Sequence, residues 1–440
     1  MRARWWIVAV AALAVATTGF TLLVRSSGHR VTDPSVPHAV PSAAPGTPSV
    51  PVGAAERVVQ ILQEMHTASF NAQAPPEKGS AGSSGGLYIN WNPSWNGDPS
   101  TAGYNTDYNS NGETDVELGR PARHDEFTDL VYLRNLLGYR AAHPTDHSFD
   151  ADIARMEPIV KADFQAYTYY KCSLYWELQD MARFDPSGAW RTMAAAYARV
   201  LYSDHYDSSL GTVVANAGGM YRVDYAAACA AALTDAGQRA RDRAMLNAGL
   251  STAHHVMANA IDPTTHLLPL QMAASTSGQD ATVDRQVKVG EEAQTLDALL
   301  TMYDLTHDAS FLAEVQAAVS WMYSSPLHDQ GSGGFYFGVD SDGTNLQSSY
   351  KESRQAWMLA LLSHLNTIQP GRWTAQLDEA LMVVKDKLWQ STVGGYVYRV
   401  TPHFELYETH AGPGHNLITE NWVTSEAMDI ACQTMEGVSG

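Results

Sequence analysis

Carboxylates recur at the starts of helix-period segments, in polar and aromatic company. Arg123-His124-Asp125-Glu126 opens one segment and Tyr221-Arg222-Val223-Asp224-Tyr225 another. Lys288-Val289-Gly290-Glu291-Glu292, Tyr350-Lys351-Glu352-Ser353-Arg354 and Thr419-Glu420-Asn421-Trp422 open three more, and Tyr169-Tyr170-Lys171 a sixth. Two carboxylates across a glycosidic bond can hydrolyse it: one protonates the leaving oxygen while the other activates water or attacks carbon. The expected catalytic set is Asp125 or Glu126 against Glu292, Glu352 or Glu420. An acid in a first helical turn is also an ordinary partner of the helix dipole. Recurrence over at least five segments is what favours chemistry. Asp180, two turns into its segment, suits either a cavity floor or a buried structural role.

Aromatic and amide residues supply the binding side of the same expectation. The stretch Gly86-Leu87-Tyr88-Ile89-Asn90-Trp91-Asn92-Pro93-Ser94-Trp95-Asn96 interleaves the two types. Trp and Tyr faces stack on sugar rings, and amides pair with hydroxyls. Trp91, Trp95, His124, Tyr170, Tyr225, Tyr350, Arg354, His410, Asn421 and Trp422 are the candidate substrate contacts. Asp107-Tyr108-Asn109-Ser110-Asn111-Gly112 matches the opening of an EF-hand loop, with Asp115 at position nine, but Leu118 stands where the bidentate Glu belongs. An Asn/Gly-rich turn and a calcium site on Asp107, Asn109, Asn111 and Asp115 both fit. No cofactor is otherwise required. Phosphate-cradling Gly loops, Gly-x-Ser-x-Gly elbows and zinc-spaced Cys pairs do not occur.

Positioning these residues falls to twelve helix-period segments. They run at about 55–71, 124–141, 150–168, 171–184, 187–202, 222–235, 237–260, 290–306, 308–323, 350–367, 372–389 and 419–435. Connections after even-numbered segments are short. Those after odd-numbered segments are long, except between the third and fourth. Short loops join antiparallel neighbours, so the alternation gathers the long loops at one end. Even segments are more apolar and richer in small residues, as in Ala226 to Leu233; odd ones carry more charge, as in Arg239 to Arg243. Even helices are therefore expected inside and odd helices outside. Gly333 to Asp342 and Gly394 to Glu408 read as β-hairpins over the mouth.

This pattern resembles the six-hairpin (α/α)6 toroids of many glycoside hydrolases and of the N-acylglucosamine 2-epimerase superfamily. The likeness covers about residues 55–440 and rests on helix count, loop alternation and segments such as Gly333-Gly334-Phe335-Tyr336 and Glu420-Asn421-Trp422. It implies an all-α barrel with small β-hairpins in the long loops and a pocket at that end. It also implies a carbohydrate-active protein, first a glycoside hydrolase on poly- or oligosaccharide. Alternatives on the same toroid are a non-catalytic glycan binder, a polysaccharide lyase, or an epimerase or isomerase using His124, His403, His410 or His415.

Bulk properties narrow the class. A net charge of −19 over 440 residues excludes the clustered basic surface that nucleic acid needs. Arg2 and Arg4 precede an apolar run from Trp5 to Val24, which reads as a signal peptide or a signal anchor within residues 1–25. Either sends the chain out of the cell or to the outer face of its membrane, and contact with membrane is expected only there. Residues 26–54, rich in Pro, Ser and Ala, form a tether. Three widely spaced cysteines, Cys172, Cys229 and Cys432, read as small buried apolar residues, with one disulfide as the alternative.

Overall fold

The computed structural model describes residues 54–68, 85–87, 126–166, 172–185, 187–215, 218–391, 395–407 and 427–431. Its helices follow the expected order: α1 (Ala54–Ala68), α2 (Glu126–Ala142), α3 (Asp150–Ala166), α4 (Ser173–Phe184), α5 (Ala189–Val200), α6 (Val223–Ala240), α7 (Arg243–Asn259), α8 (Val289–Thr306), α9 (Ala309–Ser324), α10 (Trp357–Ile368) and α11 (Thr374–Met382). A last helical stretch spans 427–431. No described helix is long and apolar enough to cross a membrane. The apolar run at residues 5–24 lies outside the described residues.

Burial separates two kinds of helix. On α9 the buried residues Phe311, Val315, Ala318, Val319 and Met322 form one stripe, the mark of a helix with a wet outer face. On α10 every residue from Trp357 to Ser363 is buried, and α6 buries Ala226, Ala227, Ala230, Ala231 and Leu233. Such all-round burial needs neighbours on all sides. Indeed α2 packs on α4, α4 on α6, α6 on α8 and α8 on α10, while α3, α5, α7, α9 and α11 each lie against their preceding even helix. Even helices thus form the inner layer.

The two shortest inner-to-outer links share one device. Arg241 (φ 53°) ends α6 and His307 (φ 58°) ends α8 in the left-handed conformation. An aspartate follows each: Asp242 accepts from the backbone N–H of Ala244 and Met245, and Asp308 from that of Ser310. Both are ordinary N-caps. The sequence pattern had ended the sixth helix near residue 235. The helix continues because Gly237, a poor helix residue in isolation, lets Leu246 of α7 approach closer than any Cβ would allow.

Strands knit the long loops together. Met220–Arg222 pairs with Gln271–Ala273, Gln286–Lys288 with Gly338–Asp340, and Lys351–Glu352 with Arg399–Val400, all antiparallel. Each of these ladders joins one long connection to another. Hairpin pairing occurs within or beside both expected stretches, Val400 with Leu406 and Gly338 with Gln347, and the cross-loop ladders come in addition to it. Lys351 and Glu352 are extended, and the tenth helix begins only after a 3-10 turn at Ser353–Ala356.

Cys172, just before α4, is bonded to Cys229 on α6, with Cα atoms 4.8 Å apart and 57 residues of sequence separation. Both are fully buried. This corrects the reading of all three cysteines as packing residues; Cys432 lies outside the described residues. Such a closed loop restricts the unfolded chain, so replacing both Cys172 and Cys229 by Ala is expected to lower unfolding stability by about 2–4 kcal/mol. Guanidinium unfolding of the double variant checks this, and a midpoint equal to that of the native protein would refute it.

Candidate active site

A cavity of about 760 Å³ runs along the axis of the inner layer, and all the even helices line it. On α8 its wall is Gly290, Glu291, Gln294, Asp297, Ala298, Thr301 and Asp304. That spacing of three and four places these residues on one face. From Glu291 to Asp304 the helix rises about 20 Å. The first turns supply an aromatic and charged layer: Phe127, Trp176, Tyr225 and Trp357 with Arg222, Asp224, Glu291 and Arg354.

Asp224 and Glu291 are the carboxylates of this layer. Asp224 is 9% exposed. Arg222 donates to both of its oxygens, from Nε at 3.0 Å and from Nη2 at 2.6 Å. The Arg222 guanidinium lies 4.5 Å from the centre of the Tyr225 ring, a cation–π contact that fixes the fork. Burial pushes the Asp224 carboxyl up, Arg222 pulls it down, and the nearby Glu291 raises it again; the balance is upward. Glu291 stands in the first turn of α8, its Oε2 buried and without a hydrogen-bond partner among the described residues. Its Oε1 lies 3.9 Å from Lys288 and 4.0 Å from Arg354, distances of Coulombic attraction rather than hydrogen bonding. Gly290 makes this closeness feasible, since a Cβ there would collide with the Arg354 backbone and Cβ.

The opposite end of the cavity holds two further charge clusters. His364 on α10 contacts Asp297 through Nδ1 and Asp304 through Nε2, each at 2.8 Å. Burial works against its charge, but the two aspartates outweigh it and raise its pKa to about 10. Arg134 on α2 is almost fully buried, with Asp180 at 2.8 Å, Glu177 at 3.8 Å and Asp429 in direct contact. Asp180 therefore does both things its position suggested: it lines the cavity and it anchors Arg134.

Of the residues expected at the site, Tyr225 and Arg354 line the cavity. Glu292 does not. It is 3% exposed and accepts from the Leu268 N–H at 3.3 Å, and burial, only partly offset by that bond, raises its pKa well above the usual carboxylate range. One residue along a helix turns a side chain by about 100°, so Glu292 faces the loops while Glu291 faces the axis. Glu352 sits on the strand paired with Arg399–Val400, and Tyr350 packs with Phe337, Tyr407 and Arg399; neither is on the cavity wall. His403 is exposed. Asp125, Glu420, Trp91, Trp95, His124, Tyr170, His410, His415, Asn421 and Trp422 lie outside the described residues, as do Asp107, Asn109, Asn111 and Asp115 of the expected calcium loop and the side chain of Glu126. Among the described residues no group of three or more His, Cys, Asp or Glu is arranged to hold a metal ion. Asp224, Glu291 and Trp176 line the cavity without having been among the expected site residues. The polar stripe Glu291, Gln294, Asp297, Thr301, Asp304 within an apolar inner helix was the signal that could have phased α8.

No family model matches the chain, and no curated protein matches it in sequence. Solved structures do match. A D-mannose isomerase aligns at TM-score 0.62 and 9% identity over 90% of this chain and 100% of its own. An unsaturated glucuronyl hydrolase specific for heparin aligns at TM-score 0.56 and 13% identity, over 87% and 96%. An inactive variant of an alpha-1,6-mannanase of Salegentibacter sp. HEL1_6, with two consecutive aspartates changed to alanine and alpha-1,6-mannotetrose bound, aligns at TM-score 0.58 and 9% identity, over 87% and 99%. At these identities the likeness speaks to architecture, and the architecture is that of the six-hairpin (α/α)6 toroids.

Proposed function

We propose that the protein is an exported glycoside hydrolase whose acid and base are Glu291 and Asp224. The observation that carries this is the pair itself: two carboxylates from neighbouring inner helices on the wall of one axial cavity, flanked by Trp176, Tyr225 and Trp357. Aromatic faces suit sugar rings. Both Asp224 oxygens accept from Arg222, and a carboxyl held that way cannot donate without breaking a charged hydrogen bond. Asp224 is thus assigned as base or nucleophile, its carboxylate held by Arg222 against the upward pull of burial. Glu291, whose Oε2 has no hydrogen-bond partner among the described residues, is assigned the acid role toward the leaving oxygen. The mannanase variant lacking two consecutive aspartates is inactive; here consecutive acids stand at Asp125-Glu126, Glu291-Glu292 and Asp378-Glu379, and only the second pair reaches the cavity wall among the described residues.

Isomerisation fits less well. It needs a base that carries a proton between carbons, and the histidine on the described cavity wall, His364, is an imidazolium with both nitrogens engaged. Export is supported by the buried Cys172–Cys229 disulfide, a bond of oxidising compartments, and by the charged and apolar start of the chain. Assay of reducing-sugar release across bacterial and plant poly- and oligosaccharides tests the proposal. Release from at least one substrate is expected. Folded protein that releases nothing, or that only interconverts free sugars, would overturn it.

A further inference from the structure

The axial cavity reaches the far end of the inner helices. Its lining continues past the carboxylate layer to Asp304, Thr367 and Ile368, at the last turns of α8 and α10, and to Arg183 on α4. Side chains are exposed at both ends: Arg222 and Arg354 of the first layer are 35% and 30% exposed, Arg183 and Asp304 at the far end 35% and 50%. Midway the wall is Ala228, Ala298 and Ala360. Residues that small leave an axis open where Leu or Phe would fill it.

We propose that the cavity is a passage with a second opening at the short-loop end, admitting small uncharged and cationic solutes more readily than anions. Water would reach the carboxylates and a small sugar would leave by this route; that clause rests on the hydrolase reading, the passage itself does not. The selectivity follows from the charges at the opening. Asp180, Asp297 and Asp304 line it against Arg183 and the His364 imidazolium, and Arg134 is already met by Glu177 and Asp429. An acidic opening with low-dielectric walls concentrates cations.

A buried reporter thiol tests the route without any turnover. Thr301 lines the passage one turn inside Asp304 and donates to the Asp297 carbonyl of its own helix, so Thr301→Cys, made together with Cys432→Ser, places a single free thiol there. Small methanethiosulfonate reagents, one cationic and one anionic, are followed by mass spectrometry on the folded protein. With each rate divided by that reagent's rate on a small free thiol, the cationic reagent is expected to react about tenfold faster, and Thr367→Trp, which narrows the opening, to slow both severalfold. A thiol that stays unreactive in folded protein, or rates unchanged by Thr367→Trp, would overturn the passage. Equal normalised rates for the two reagents would overturn its selectivity. A protein with no glycosidase activity gives the same readouts, so failure here and failure of the hydrolase reading are distinguishable.

Discussion

Glu291→Gln is expected to lower kcat/KM on a natural glycan by about 10²–10⁴-fold, the usual worth of a positioned general acid. The loss should depend on the leaving group. An aryl glycoside with a nitrophenol leaving group departs without a proton, so Glu291→Gln should retain most of its rate on that substrate. Asp224→Asn should lose both activities, because it removes the group that attacks or activates water on the other face of the sugar. The two variants thereby separate the roles that the Arg222 fork assigns. Circular dichroism and thermal unfolding guard against misfolding as the cause. A pH profile adds a signed test. Arg222 draws the Asp224 carboxyl downward against the upward pull of burial, and activity requires that carboxyl ionised. Removing the guanidinium in Arg222→Met raises the carboxyl pKa, so the acid limb of the kcat/KM profile should move to higher pH. A Glu291→Gln variant equally impaired on both substrates, or an acid limb that stays fixed, would move the catalytic pair elsewhere on the cavity wall.

Fold and site were legible to different depths, for physical reasons. Helices announce themselves through a period of 3.6 that survives in any window of eleven or more residues; α7, α8 and α9 lie within about one to six residues of the expected ends. Inner and outer layers were readable because a helix buried all round, such as α10, must be apolar all round. Phase is another matter. At Glu291-Glu292 the two acids have the same charge and almost the same address, and only the neighbours decide which of them meets the cavity and which meets Leu268. Glu352 is a different case. The pattern placed it in a first helical turn, but pairing with Arg399 draws it into a strand, and a contact 47 residues away leaves no local trace. The disulfide was hidden likewise: an odd cysteine count conceals one pair and one remainder. Asp224 was visible in sequence yet not preferred over Asp125 or Glu420, because its partner Arg222 precedes the helix and only the folded backbone turns the guanidinium back toward it.

The largest expected loss of stability is at Arg134. Its side chain is 1% exposed and joins three parts of the inner layer: α2, which carries it; α4, through Asp180 and Glu177; and the final helical stretch, through Asp429. Burial disfavours the guanidinium charge, and the three carboxylates more than restore it. Removing the cation of a buried ionic group leaves its carboxylates without that counter-charge, at a cost of about 3–5 kcal/mol. Arg134→Leu should therefore lower the urea midpoint sharply, and an isosteric apolar stem does not rescue it because the carboxylates remain. Arg134→Lys should recover only part of the loss, since a single ammonium cannot reach the divergent acceptors that a planar fork reaches. Arg183 supplies the internal contrast. It meets Asp180 at 3.2 Å, with its side chain 35% exposed, and a pair that wet contributes about 0–1 kcal/mol; Arg183→Ala should cost far less than Arg134→Leu. If Arg134→Leu and Arg183→Ala unfolded at the same denaturant concentration, the buried cluster would not be what holds the final helical stretch to the rest of the inner layer. The electrostatics at the lower end of the cavity would then have to be explained by ligand binding rather than by assembly of the fold.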